Sequence, residues 1–209
     1  MNNYKLQGLY AITDSNLIKT QAFVSTVEQA IIGGAKIIQY RDKTNDKQRR
    51  FVQAQALNYM CKKYNIPLLI NDDIMLAQQI GADGVHIGKD DSKLKTARTI
   101  LGDKAIIGVS CYNQLSLAQQ AVADGATYVA FGSFFSSSTK PNAITSEVNL
   151  LQQARKILNC PLVAIGGITP VNGTELIEVG ADCLAVIQGL FGQTEVKAEA
   201  ERYAALFNF

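Results

Sequence analysis

Three short stretches carry side chains able to do chemistry. QYRDK (39–43) sets an amide, a guanidinium and an ammonium at alternate positions: Gln39, Arg41 and Lys43. Alternate residues of an extended chain share a face. Two cations and an amide on one face suit an anion rich in oxygens, such as pyrophosphate. The guanidinium forks onto two oxygens and the ammonium adds a point charge. NDD (71–73) and KDD (89–91) each follow an apolar run with adjacent carboxylates. Asp72 and Asp91 are expected to converge on a divalent cation, because Mg2+ is held by one or two carboxylates completed by water and substrate phosphate. Asp73, and Asp90 or Ser92, are expected to cap the next helices along the chain. GGIT (166–169) lets backbone N–H groups approach a phosphate closely at Gly166 and Gly167.

These residues need a frame that gathers them at one end. Short apolar, β-rich runs recur at 8–13, 36–41, 67–72, 84–88, 105–110, 128–133, 161–167 and 183–189. Segments with helical spacing lie between them, such as QAFVSTVEQAIIGG and SLAQQAVADGA. In KQRRFVQAQALNYMCKKY the residues Phe51, Ala54, Leu57 and Cys61 form one apolar stripe. Strands so continuously apolar suit a sheet buried on both faces. Their alternation with helices predicts parallel β/α units, and eight of them predict a (β/α)8 TIM barrel in a single α/β domain. An open doubly wound sheet is disfavoured, since GLYAITDSN carries no G-x-G-x-x-G. GGAK, GADGV, DGATYV and VGADCL each precede an apolar run, which is the chemistry of helix-to-strand turns.

In such a barrel every strand ends at one mouth. To Gln39, Arg41, Lys43, Asn71, Asp72 and Asp91 that mouth adds Ser110, the loop Ser136 to Lys140, Gly167 and Gln188. His86, the sole histidine, alternates with Val85 and Ile87 and is expected to be packed and hydrogen-bonded. With one histidine and four scattered cysteines, a Cys/His zinc site is not expected. The cysteines are expected to be reduced and mostly packed, and the location cytoplasmic. A net charge of +2 argues against nucleic acid or an anionic membrane as partner. No apolar run reaches the length of a spanning helix, and MNNYKLQGLYAIT reads as a lead-in to a strand rather than a signal peptide.

Taken in order, QYRDK, INDD, GADGVHIGKDD, IIGVS, FGSFFSSSTKP, VAIGGI and GADCLAVI resemble the motifs of the thiamine phosphate synthase family over residues 8–190. The resemblance implies a TIM barrel and a Mg2+-dependent transferase acting on small phosphorylated substrates. That enzyme joins 4-amino-2-methyl-5-hydroxymethylpyrimidine diphosphate to 4-methyl-5-(2-hydroxyethyl)thiazole phosphate, with loss of pyrophosphate before the new bond forms. It implies Asp72 and Asp91 as metal ligands, and Gln39 and Asn71 at the aminopyrimidine. Arg41, Lys43, Ser110 and Lys140 would serve the departing pyrophosphate, with Ser137 and Thr139 as hydroxyl contacts. Gly167, Ile187 and Gln188 would form the thiazole-phosphate site. Three departures stand out: Ser133 replaces the family's proline, Ser137 its first threonine, and Gln188 the serine at the end of strand eight. The alternatives are a thiazole tautomerase-like paralogue and a non-catalytic thiamine phosphate-binding barrel. Oligomeric state is left open, a homo-oligomer included.

Overall fold

The computed structural model describes residues 4–88, 91–136 and 146–208; the side chains of Asp91 and Ser92 lie outside that description. Eight parallel strands close into a barrel in chain order. They are β1 (Gly8–Ile12), β2 (Ile37–Tyr40), β3 (Leu68–Asn71), β4 (Gly84–Ile87), β5 (Ile106–Tyr112), β6 (Tyr128–Phe131), β7 (Leu162–Ile165) and β8 (Cys183–Val186). Closure comes from β1 against β8, with Gly8 opposite Cys183 and Ala11 opposite Val186. All eight apolar runs form strands.

Strand alternation divides the apolar side chains into two cores. Leu9, Ala11, Ile38, Leu68, Ile70, Val85 and Ile107 face outward to the helices. Tyr10, Ile37, Leu69, Ile106, Tyr128, Val163 and Cys183 fill the barrel. The helices are α1 (Phe23–Ile32), α2 (Lys47–Lys63), α3 (Ile74–Ile80), α4 (Asp91–Leu101), α5 (Leu115–Ala123), α6 (Asn149–Ile157), α7 (Gly173–Glu178), the single turn α8 (Gln188–Phe191) and α9 (Val196–Ala205). On α2, Ala54, Leu57 and Cys61 are fully buried, with Phe51 packed beside them.

The repeated glycine turns also hold the bottom of the barrel. Gly34, Gly81, Gly125 and Gly180 all have positive φ, and each stands three residues before an even-numbered strand. Two residues further on, Asp83, Thr127 and Asp182 accept the first or second backbone N–H of the preceding strand. Asp83 takes Leu68 N at 2.9 Å, Thr127 takes Ile107 N at 3.0 Å and Asp182 takes Leu162 N at 2.7 Å. In three of the four turns the small polar residue therefore ties the turn to the preceding strand, at the end of the barrel opposite the strand C-termini.

Candidate functional site

β3 ends at Asn71, and the chain turns sharply at Asp72, which has a left-handed backbone with φ of 60°. A non-glycine residue keeps that conformation only where its surroundings hold it. Here the Asp72 N–H donates to His86 O at 2.9 Å. Its Oδ2 accepts from Lys43 Nζ and from Asn71 Nδ2, both at 2.7 Å. Burial pushes the Asp72 carboxyl up, but Lys43, Asn71 and the Lys93 ammonium together hold it below the usual carboxylate value. Asp73 caps α3 by accepting Leu76 N at 2.9 Å, and it also receives Arg50 at 2.5 Å. The expected cap at Asp73 is thus observed. Asn71, Asp72 and Lys43 line a cavity of about 480 Å³ with Thr44, Arg50 and Met75.

The expected shared face of Gln39, Arg41 and Lys43 is not observed. β2 ends at Tyr40, so alternation governs Gln39 alone. Gln39 is buried in the barrel, donating from Nε2 to Tyr10 Oη at 2.6 Å. Arg41 turns toward β1, where its Nη1 meets Asp14 Oδ2 at 2.7 Å and its backbone N–H meets Thr13 Oγ1 at 2.9 Å. Lys43 reaches the other way, to Asp72 at the end of β3. Asp42, between the two cations, has its side chain buried against α2, where it accepts from Arg49 and from Tyr40. Burial raises its carboxyl, yet the Thr44 N–H and hydroxyl and the Arg49 guanidinium bring it below the usual carboxylate value. The result is three separate contact points around one mouth.

Ser110, on β5, is joined to Gln39 through the barrel interior. Its Oγ lies 2.9 Å from His86 Nε2, His86 Nδ1 lies 2.8 Å from Tyr128 Oη, and Tyr128 Oη lies 2.8 Å from Tyr10 Oη. His86 is packed and hydrogen-bonded as expected, its ring stacked on Tyr128 at 5.7 Å. Burial holds both phenols well above their ordinary pKa, so each keeps its proton. Gly108 makes room for this chain: a Cβ there would lie 1.9 Å from Tyr128 Cζ.

At the opposite side of the mouth, Gly166 and Gly167 turn with φ of 106° and 62°. A Cβ on Gly167 would lie 2.4 Å from Ser136 O, so the turn packs against the loop after β6. Ile187 leaves β8 and packs against the interior core. Gln188 opens α8 and is exposed. Its amide lies forward along the helix, so near Gly192 that a Cβ there would meet Nε2 at 2.3 Å. The substitution at this family position therefore carries its bulk along the helix and away from the strand end.

Asp91 is the first residue of α4, and its carboxylate lies outside the described side chains. Lys89, Asp90, Ser137, Ser138, Thr139 and Lys140 lie outside the described residues. Asp14, Tyr10 and Tyr128 were not among the expected site residues. Asp14 sits at the end of β1, where the strand-end rule would have selected it. The two tyrosines carried a signal as well, since a phenol inside a barrel needs a partner for its hydroxyl.

The arrangement defines a parallel (β/α)8 barrel with Gln39, Arg41, Lys43, Asn71, Asp72 and Ser110 at or just beyond the C-terminal ends of β2, β3 and β5. A family model described as thiamine monophosphate synthase matches residues 9–190. The chain is 52% identical over 202 residues to a thiamine-phosphate synthase of Nitrosococcus oceani, covering 97% of this chain and 93% of the relative. It is 49% identical over 194 residues to one of Saccharophagus degradans, covering 92% and 89%. A thiamine phosphate pyrophosphorylase from Pyrococcus furiosus superposes with a TM-score of 0.86 at 31% identity, over 96% of this chain and 95% of that one. The chain belongs to the thiamine monophosphate synthase family, and with it to the transferases of thiamine biosynthesis. Among the described residues no helix is long and apolar enough to cross a membrane.

Proposed function

We propose that this transferase joins 4-amino-2-methyl-5-hydroxymethylpyrimidine diphosphate to 4-methyl-5-(2-hydroxyethyl)thiazole phosphate in a Mg2+-dependent reaction releasing pyrophosphate. The observation that carries this reading is the Lys43–Asp72–Asn71 constellation, held by a left-handed turn at the mouth that Gln39, Arg41 and Ser110 also border. The methylene C–O bond breaks first and its electron pair leaves with pyrophosphate. The thiazole nitrogen then uses its own lone pair to form the C–N bond, so no general base is needed at the reacting nitrogen. Arg41, Lys43, Lys140 and the Ser110 hydroxyl stabilise the charge gathering on the leaving group, which is stronger in the transition state than in the ground state. Gln39 and Asn71 orient the aminopyrimidine. Ser137 and Thr139 contact the substrates, and Gly167, Ile187 and Gln188 receive the thiazole phosphate.

The donor chemistry fits Mg2+. Asp72 offers hard carboxylate oxygens with 41% of its side chain exposed. Among the described residues no group of three or more His, Cys, Asp or Glu forms a metal cage. Mg2+ is commonly held this way, by one or two carboxylates with substrate oxygens; Asp72 and Asp91 would hold it. Bound there, the ion would neutralise departing pyrophosphate. The test is a coupling assay with both phosphorylated substrates, with Mg2+ present or chelated, on the wild type and on Asp72→Ala. Thiamine phosphate formed only with metal, and nearly abolished in a folded Asp72→Ala, is expected. Undiminished turnover by the variant would refute the role of Asp72, and product without metal would refute the dependence.

A further inference from the structure

Gln39, Tyr10, Tyr128, His86 and Ser110 come from five strands and form one unbroken hydrogen-bonded chain across the barrel. Such a chain has a direction. A neutral phenol holds one proton and donates once, and a neutral imidazole likewise. Gln39 donates from Nε2 to Tyr10. Tyr10 is fully buried and, among the described residues, its hydroxyl proton has Tyr128 as its other partner, so the direction that leaves no buried phenol proton unused runs from Tyr10 to Tyr128 and from Tyr128 to His86 Nδ1. The histidine proton is left on Nε2 and is given to Ser110 Oγ. The serine proton is then the one the chain does not use, and it is available for donation outside the chain. The opposite polarity would have Ser110 donate into His86 and offer only lone pairs outward.

We propose that Gln39, Tyr10, Tyr128 and His86 form a positioning relay that fixes the tautomer of His86 and thereby holds the Ser110 hydroxyl as a standing donor toward the substrate. For the ligand this rests on the synthase reading. A pyrophosphate oxygen only accepts hydrogen bonds, so a donor at the Ser110 end matches it. At the other end Gln39 keeps Oε1 as an acceptor, which matches an exocyclic amine. An aminopyrimidine diphosphate has the complementary group for each end of the relay. Tyr10, Tyr128 and His86 act through Ser110 and Gln39 and are positioning residues, with no contact to the reacting atoms required.

Because His86 is the sole histidine, its ring nitrogens can be read without assignment in untagged protein labelled with 15N-histidine. At neutral pH and without substrate, the proton is expected on Nε2, with Nδ1 unprotonated and accepting. A proton on Nδ1, or on both nitrogens, would overturn the relay. Tyr128→Phe keeps the ring against Gly108 and removes only the hydroxyl. It is expected to move the Nδ1 resonance toward that of a free lone pair. It should also lower kcat about tenfold, the loss of one positioning hydrogen bond, with the KM for thiazole phosphate unchanged. If either the resonance or kcat stays put, the relay is wrong. The nitrogen spectrum needs no turnover, so a protein with its proton on Nε2 that makes no thiamine phosphate would support the relay and refute the synthase reading.

Discussion

Asp14→Asn isolates the anchor that holds Arg41 in place. In the folded protein Arg41 Nη1 lies 2.7 Å from Asp14 Oδ2, with side-chain exposures of 20% and 12%. A hydrogen bond to a charged partner contributes about 1.5–3 kcal/mol, and breaking a fully buried pair costs about 3–5 kcal/mol. Partial exposure places this pair nearer the first figure. Asparagine retains an oxygen for Asn16 N, which Asp14 Oδ1 receives at 2.9 Å, and the Thr13 contact to the Arg41 backbone is untouched. The expected loss is therefore about 2 kcal/mol, close to thirtyfold in the unfolding equilibrium. A double-mutant cycle with Arg41→Met, read by urea unfolding, should return a coupling energy of about 1.5 kcal/mol. In the synthase assay Asp14→Asn should lower kcat about tenfold by letting the guanidinium wander from the leaving group, with the KM for thiazole phosphate unchanged. A coupling energy below about 0.5 kcal/mol, within the scatter of independent sites, would refute the claim that Asp14 anchors Arg41.

Gly108→Ala drives a methyl to within 1.9 Å of Tyr128 Cζ; overpacking of this kind should cost about 3 kcal/mol, or roughly 6–12 °C in Tm for a domain of this size, and a calorimetric shift under about 2 °C would contradict it. Asp42 has a folded pKa lowered below its unfolded value, so its contribution is present above the unfolded pKa of about 3.9 and is lost as pH falls through the lower folded value. The urea midpoint of the wild type should exceed that of Asp42→Asn at neutral pH and converge on it as pH falls through the lowered folded value; parallel curves would show that Asp42 carries none of the dependence. Burial pushes the Cys61 and Cys111 thiols up to about 12 and raises Cys160 and Cys183 as well. Thiol titration of the native protein should therefore be slow at all four, with the partly exposed Cys160 reacting first and all four reacting on unfolding; rapid native labelling of Cys111 would overturn its reading as a packing residue.

The barrel was legible in the sequence because both of its layers leave a record. A parallel strand buried on two faces reads as a run such as LLIN or LVAI, and the turns before β4 and β8 repeat as GAD because the aspartate must reach the preceding strand. Asp72 and Asp73 were separable because one helix needs one cap. The directions of Arg41 and Lys43 were hidden for a physical reason. Alternation is enforced by the hydrogen-bond ladder, and β2 leaves the ladder at Tyr40. Beyond Tyr40 each side chain turns toward whichever partner is in reach. The interior relay was hidden because Tyr10 and Tyr128 occupy inward positions that an apolar residue fills equally well. Only the distance between hydroxyls, invisible in one dimension, distinguishes a relay from packing.

The net charge of only +2 is reconciled with the proposed phosphorylated substrates by how the cations are stored. Arg41 rests on Asp14, Lys43 on Asp72 and Arg50 on Asp73. Each pair keeps a cation beside a carboxylate, with little field at long range. An incoming anion therefore gains little from steering and most from local exchange, taking an ammonium or guanidinium hydrogen bond that a carboxylate held before. The pairs differ in how readily they exchange. Lys43 and Asp72 are 56% and 41% exposed, where an ion pair contributes no more than about 1 kcal/mol, whereas Arg41 and Asp14 are mostly enclosed. On the proposed reaction Lys43 is thus the cation that moves onto the substrate, and Arg41 the fixed point against which it is placed.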